Sequence, residues 1–262
     1  PWHLRPEMEG HARGRLNFLD KHSRPVVREG RADFVPCHFH EVPRLFREGL
    51  YPVDIAAVQL SPPNAEGYCS LGVSCDYTKA AIEEAKVIIA EVNEQMPFIA
   101  GDNLVHVTEL DYIIPVDRPL TEIPLPEIGE VERRIGEVCA ALIHDGDTLQ
   151  IGIGAIPDAV LQCLGDRKDL GLHTEMFTDG VMHMMRRGVI TGARKTLHPR
   201  KVVSSIVMGS RELYDFVHQH PDIELYPVDY TNDPYIIGQN EDFVSINSCL
   251  EIDLCEVKTV GP

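Results

Sequence analysis

The residues best suited to chemistry lie between positions 145 and 180. They read D-G-D-T-L-Q-I-G-I-G-A-I-P-D-A-V-L-Q-C-L and then, after a short charged connection, G-L-H-T-E-M-F-T-D-G. Glu175 ends an apolar run, where a carboxylate is costly to desolvate unless it has a task or a partner. A surface glutamate at a strand end is the plain alternative. Gly152 and Gly154 let backbone approach a ligand closely, and the N–H groups of Gly154, Ala155 and Ile156 open a helix with Pro157 in its first turn. Such donors, with the Gln150 side chain if its register permits, could hold an oxyanion, an effect worth roughly 3 kcal/mol per donor. His173, two residues before Glu175, shares its strand face and either steers the carboxylate or simply packs.

Other constellations carry less. G-I-G-A-I-P lacks the third glycine of a dinucleotide fingerprint and no ribose-binding acid follows it, so NAD is set aside. The G-K-[ST] phosphate cradle is absent too. His38 and His40 could share a strand face and ligate a metal, but no third ligand stands nearby, and structural histidines are the expectation. Seven cysteines, at 37, 69, 75, 139, 163, 249 and 255, are scattered in apolar segments with no C-x-x-C pair, which reads as reduced thiols without disulfides or zinc, nucleophilic catalysis by Cys69, Cys75 or Cys249 being a minor option. The Met182–Met185 run, M-H-M-M, reads as core filler. Arg186, Arg187, Arg194, Lys195, Arg200 and Lys201 form the densest basic stretch, either a solvated face or a receiver of phosphates.

The elements that must position Glu175 follow from pattern. Residues 148–153 read as a buried strand, 156 onward as a helix and 170–176 as a second parallel strand ending at the carboxylate. A right-handed unit of this kind sets turn and carboxylate side by side at the carboxyl edge of a sheet. Strands are also expected at 31–39, 53–60, 68–73, 87–92, 112–116, 202–208, 223–227, 243–246 and 250–254, with helices at 41–50, 76–85, 128–143 and 181–187. The 128–143 helix carries apolar spacing at Val131, Ile135, Val138, Ala141 and Leu142. Residues 1–30 read as a polar surface arm. Residues 117–127 hold three prolines and read as an extended linker, so the expected division is 1–122 and 123–262, each half an open, mostly parallel α/β sheet covered on both faces.

With 262 residues and 44% hydrophobic content the chain can bury two ordinary cores. A net charge of -17 and a pI near 5.0 argue against nucleic acid and anionic membranes as partners. No apolar run reaches spanning length and no signal-like segment opens the chain, so a cytoplasmic protein is expected. An opening at Pro1 and an ending on V-K-T-V-G-P read as a piece of a longer polypeptide.

These residues together resemble the acetyl-CoA hydrolase/transferase family, and within it the 4-hydroxybutyrate or butyrate CoA-transferases. The resemblance rests on S-P-P-N-A-E-G-Y-C-S-L-G-V-S at 61–74, A-K-V-I-I-A-E-V-N-E-Q-M-P at 85–97 and L-Q-I-G-I-G-A-I-P-D-A-V at 149–160. It continues through H-T-E-M-F-T-D-G at 173–180, P-V-D-Y-T-N-D-P at 227–234 and F-V-S-I-N-S-C-L-E-I-D-L at 243–254. It implies two tandem open α/β/α domains of the CoA-transferase type, truncated here at both ends, with the site between them. It also implies Glu175 as nucleophile and Gln150 polarising the thioester carbonyl, with Gly152, Gly154, Ala155, Ile156, Gly180 and Asn247 around the oxyanion or CoA. Glu251 is a weaker rival nucleophile on the wrong strand. The expected substrates are an acyl-CoA and a short-chain carboxylate, with no resident cofactor or metal, and a homo-oligomer is expected. The alternatives are an acetyl-CoA hydrolase and an inert CoA-binding α/β protein.

Overall fold

The structure is a computed structural model that describes residues 10–252 and 257–259. Three parallel sheets carry the fold. In the first, the strand Ile55–Leu60 pairs with Val87–Asn93, which pairs in turn with Tyr112–Val116. The central strand, Val87–Asn93, is a near-continuous apolar run, as expected for a strand covered on both faces. The last is an edge strand with Tyr112, Ile113 and Ile114 exposed.

The second sheet places Thr148–Ile151 between Gly171–Leu172 and Phe243–Ile246, all parallel. The third joins Val202–Ser204, Ile223–Leu225 and Ala100–Gly101, so a strand from the first half completes a sheet of the second. Each half was expected to keep its own sheet. The crossing is made possible by Gly101, whose backbone φ is +119° and whose missing Cβ would lie 2.1 Å from the Leu225 carbonyl oxygen. Most of the buried hydrophobic side chains form one continuous cluster running from Leu60, Leu71 and Ile99 to Leu149, Phe177 and Leu225, and Val26 and Ala32 form a small second one. Each such side chain contributes about 1.5–3 kcal/mol relative to exposure. The proline-rich stretch 117–127 has no regular structure but is tied to the second half, since Ile123 N–H donates to the Gly209 carbonyl and the Tyr214 hydroxyl to that of Thr121.

Several expectations differ in their details. Residues 10–30 are not a plain arm: Gly14–Leu16 pairs with Ala32–Phe34, and Ser23–Arg28 is helical. The helix Glu130–Ala140 buries Gly136 and Ala140 and leaves Val131 and Val138 exposed, as is Leu142 in the turn that follows. Close approach decides this, because a Cβ on Gly136 would sit 2.8 Å from the Ala159 backbone on the helix Ala155–Cys163. The helix Arg211–Val217 has no counterpart in the expected pattern. The Met-rich run lies in the helix Asp179–Arg186 and buries Met182 and Met184.

The expected strand 170–176 is broken, and this break places the carboxylate. After Leu172 the chain leaves the second sheet. His173 bridges to Val203, and Met176–Phe177 pairs with Ile206–Val207. Thr174 spans the gap with its side chain: its hydroxyl donates to the Ile151 carbonyl at 2.9 Å and accepts from the Ile151 N–H at 3.2 Å. Glu175 therefore sits at a bend between two pairings. Its carbonyl accepts from the N–H groups of Ser205 and Ile206, each at 3.0 Å, and from the Ser204 hydroxyl at 2.9 Å. Three donors on one carbonyl fix the backbone and leave the side chain as the variable part.

Candidate active site

Glu175 projects into a cavity of about 650 Å³ whose walls include Gln150, His173, Thr174, Asn232, Phe243, Ser245 and Asn247 from the second half. Asn17, Phe18, Cys37, His38, Phe39 and His40 close the cavity from the first half. The carboxylate makes no ion pair among the described residues. Its side-chain partner is the Asn232 amide, which donates to Oε2. Burial pushes the Glu175 carboxyl above its ordinary range, the Asn232 bond opposes that push, and the nearby negative charge of Asp76 adds to it.

Gln150 lies on the same cavity, held by its neighbour strand. Parallel pairing sets Ser245 opposite Gln150, and the chain continues through Ile246 to Asn247. The Gln150 carbonyl oxygen accepts from the Ser245 hydroxyl and from the Asn247 amide at 2.7 Å, while its own amide donates to the Asn247 oxygen at 3.2 Å. One Gln150 amide hydrogen is left to face a ligand. Gly152 is required beside this pair, because a Cβ there would meet the Asn247 side-chain oxygen at 2.8 Å.

The remaining expected residues lie apart from the cavity walls. Gly154 has φ +110° and precedes the helix that Ala155 and Ile156 begin. These three residues are not among the residues that line the cavity. Gly180 packs on Leu161 and Asp158 and lines a separate cleft of about 210 Å³ with His183 and Leu125. Glu251 lies in the strand Cys249–Ile252.

His173 does not bond the Glu175 carboxylate. It is buried, its Nε2 donates to the Thr231 carbonyl at 2.8 Å, and burial lowers its pKa to about 4. The imidazole is thus neutral near pH 7 and grips the residue next to Asn232. His38 and His40 stack with ring centroids 5.8 Å apart, as cavity wall. Among the described residues no group of three or more His, Cys, Asp or Glu is placed to hold a metal ion. No helix among them is long and apolar enough to cross a membrane.

Sequence reasoning missed Asn232 as the partner of Glu175. The stretch P-V-D-Y-T-N-D-P was visible, but its only local signal was a turn, and the contact spans 57 residues. The aromatic wall of Phe18 and Phe39 was missed for the same reason. Their edge-to-face packing, with centroids 4.7 Å apart, is set by a segment remote in sequence from Glu175.

Glu175 is thus a half-buried carboxylate with no ion-pair partner among the described residues, set beside a carboxamide donor where the parallel sheets interlock. The chain belongs to the acetyl-CoA hydrolase/transferase family, whose N-terminal domain matches residues 11–123 and whose C-terminal domain matches residues 209–258. Among individual relatives, the 4-hydroxybutyrate coenzyme A transferase of Clostridium kluyveri is 53% identical over 247 residues, covering 94% of this chain and 58% of the relative. The succinyl-CoA:acetate/propanoyl-CoA:succinate CoA transferase of Fasciola hepatica is 45% identical, over 95% of this chain and 52% of that protein. The crystal structure of RipA from Yersinia pestis superposes with a TM-score of 0.94 at 38% identity, covering 98% of this chain and 62% of that one. The 4-hydroxybutyrate CoA-transferase structure from Porphyromonas gingivalis gives a TM-score of 0.83 at 60% identity, covering 92% and 62%. The chain spans a little over half the length of these curated relatives.

Proposed function

We propose that the protein carrying these residues is a CoA-transferase that moves CoA between a short-chain acyl-CoA and a carboxylate, with Glu175 as nucleophile. The observation that carries this reading is the Glu175 carboxylate itself, desolvated and without a counter-ion among the described residues, in a cavity roomy enough for a short acyl group. The relatives' names support the class of reaction, being CoA transferases of 4-hydroxybutyrate and succinate type.

A Glu175 oxygen attacks the thioester carbonyl carbon. The C–S bond breaks, giving an acyl-glutamyl anhydride and CoA thiolate. The thiolate attacks the glutamyl carbonyl, releasing the first carboxylate and leaving a glutamyl-CoA thioester. An incoming carboxylate attacks that thioester, freeing thiolate and forming a new anhydride. The thiolate then attacks the new acyl carbonyl and restores Glu175. Gln150, oriented by Ser245 and Asn247, supplies an N–H to the oxyanion formed at each attack. A carboxylate is a weak nucleophile in water, so binding energy from the remote nucleotide part of CoA, and exclusion of water once CoA fills the cavity, have to drive the first step. CoA enters as substrate, and the scheme calls on no resident cofactor.

Borohydride reduction of protein incubated with acyl-CoA, followed by peptide mass analysis, tests the scheme. Glu175 is expected to be found as the corresponding primary alcohol, the C–S bond broken and CoA released as thiol, and Glu175→Gln is expected to abolish both this product and exchange. An unmodified Glu175 in active protein, or exchange retained by Glu175→Gln, overturns it. Acyl-CoA consumption at a rate indifferent to added carboxylate would instead identify a hydrolase.

A further inference from the structure

Behind the cavity lies a cluster of ionisable and aromatic side chains that the proposed reaction leaves unused. His198 is at its centre. It occupies the loop after Gly192 with backbone φ +49°, a conformation that a non-glycine residue holds only where its surroundings fix it. Its Nε2 lies 2.7 Å from the Tyr230 hydroxyl, and its Nδ1 lies 3.4 Å from the Tyr226 hydroxyl and 3.5 Å from Glu224 Oε2. The Tyr226 and Tyr230 rings stack at 4.8 Å, and His198 meets them at 4.9 and 5.7 Å.

The charged groups around the imidazole come from three directions. Glu224 accepts from the Tyr226 hydroxyl at 3.0 Å and faces Lys201 Nζ at 3.3 Å. Lys195 is buried, and its Nζ donates to the Lys201 carbonyl at 3.0 Å. His173 approaches Tyr230 from the cavity side, ring centroids 6.4 Å apart. Burial lowers the His198 pKa, the positive charge of Lys195 lowers it further, and Glu224 acts in the opposite sense. A neutral ring whose Nδ1–H faces Glu224 has Nε2 free to accept from the Tyr230 hydroxyl.

Tyr230 and Thr231 immediately precede Asn232, the residue that donates to Glu175. Two histidines hold that approach, His173 on the Thr231 carbonyl and His198 on the Tyr230 hydroxyl. The helix Val228–Thr231 on which they act has four residues, too short to persist by its own hydrogen bonds. We infer that His198 is a positioning residue for the proposed transfer reaction, acting through Tyr230 to keep the Asn232 amide on the Glu175 carboxylate. The inference rests on the reading of Glu175 as nucleophile. His198 does not line the cavity, so it acts at one remove from the reacting atoms.

The test compares wild type with His198→Ala, His198→Gln, Tyr230→Phe, Asn232→Ala and the double variant His198→Ala/Asn232→Ala in the full-length protein. It measures kcat, KM for acyl-CoA, the acid limb of the pH–rate profile and the Glu175 adduct. His198→Ala and Tyr230→Phe are expected to lower kcat about tenfold, as for loss of a coupled contact. KM for acyl-CoA should stay near wild type, and the acid limb should move to higher pH. His198→Gln retains an acceptor for the Tyr230 hydroxyl and should recover most of the rate. In the Asn232→Ala background, His198→Ala should move the acid limb no further. Tyr230→Phe keeps the ring stack, so it reports even if His198→Ala fails to fold. A fall in Tm with kcat and acid limb unmoved, or shifts that add fully to those of Asn232→Ala, would overturn the role of His198 alone. A wild type that forms no adduct at Glu175 overturns the nucleophile reading and this inference with it.

Discussion

Removing the Asn232 amide should change the ionisation of Glu175 more than the architecture around it. The carboxylate is pushed up by burial and by Asp76, and Asn232 is the side chain that opposes the push. A hydrogen bond to a charged group is worth about 1.5–3 kcal/mol, and it favours the ionised form over the neutral one. Asn232→Ala withdraws that support while Gln150, Ser245 and Asn247, on other segments of the chain, keep their mutual bonds. On the acid limb, where only the ionised fraction reacts, the loss divides the rate by roughly 10 to 100. At alkaline pH, where Glu175 is ionised in either protein, the difference should shrink to the cost of lost orientation. Water entering the open cavity would supply a substitute donor and bring the effect toward the lower figure. Asn232→Asp should act more strongly, because two carboxylates would then share one site and titrate as a pair. Isotope-edited infrared titration of the glutamate carboxylates, run beside the pH–rate profile, reads the ionisation directly. Coincident titrations in wild type and Asn232→Ala would refute the reasoning, whatever the activity does.

Three further outcomes follow from the same structure. Asp158, in the first turn of the helix Ala155–Cys163, is pushed from 3.8 up to about 6 by burial and then by Asp179. Ionising it in the folded state is costly above pH 6, so Asp158→Asn should raise stability there by about 1–2 kcal/mol after allowance for its partial exposure. The gain should vanish below pH 4, and denaturant titration at both pH values checks it. His173 runs the other way. With its pKa lowered from 6.5 to about 4, the stability of its neutral form is fully present above pH 6.5 and is lost as pH falls toward 4. That loss, at most about 3 kcal/mol, should be missing in His173→Gln, whose stability relative to wild type should rise across the window. Gly101→Val puts a side chain against the Leu225 carbonyl at a positive φ, and unpairing Ala100–Gly101 should cost about 3 kcal/mol or more in chemical denaturation.

What could be seen in the sequence was what chain-local physics determines. The strand Tyr112–Val116 and the strand Phe243–Ile246 fall on the expected bounds, and Val87–Asn93 and Thr148–Ile151 fall within two residues of them, because apolar runs ended by turn residues have few other uses. The pattern failed where a third residue intervened. Val131, Val138 and Leu142 form a regular apolar stripe, yet Gly136 and Ala140 face the neighbouring helix, because small residues permit the closer approach. The unbroken strand expected over 170–176 failed because a threonine side chain can replace a ladder bond, and no periodicity argument sees that exchange. The site divides along the same line. Glu175 and Gln150, which share the cavity wall, could be singled out because a carboxylate ending an apolar run and a glycine turn are local oddities. Asn232 and His198 could not, because an asparagine ending a turn and a histidine in a basic loop are ordinary until the fold sets one on the carboxylate and the other on Tyr230. The break after Leu172 connects the two halves of this argument. A continuous strand would have kept Glu175 in the second sheet with Gly171–Leu172; the switch to the Ile206–Val207 partner turns it instead toward the segment that carries Asn232. The same local irregularity that defeats the strand pattern therefore gives the glutamate its donor.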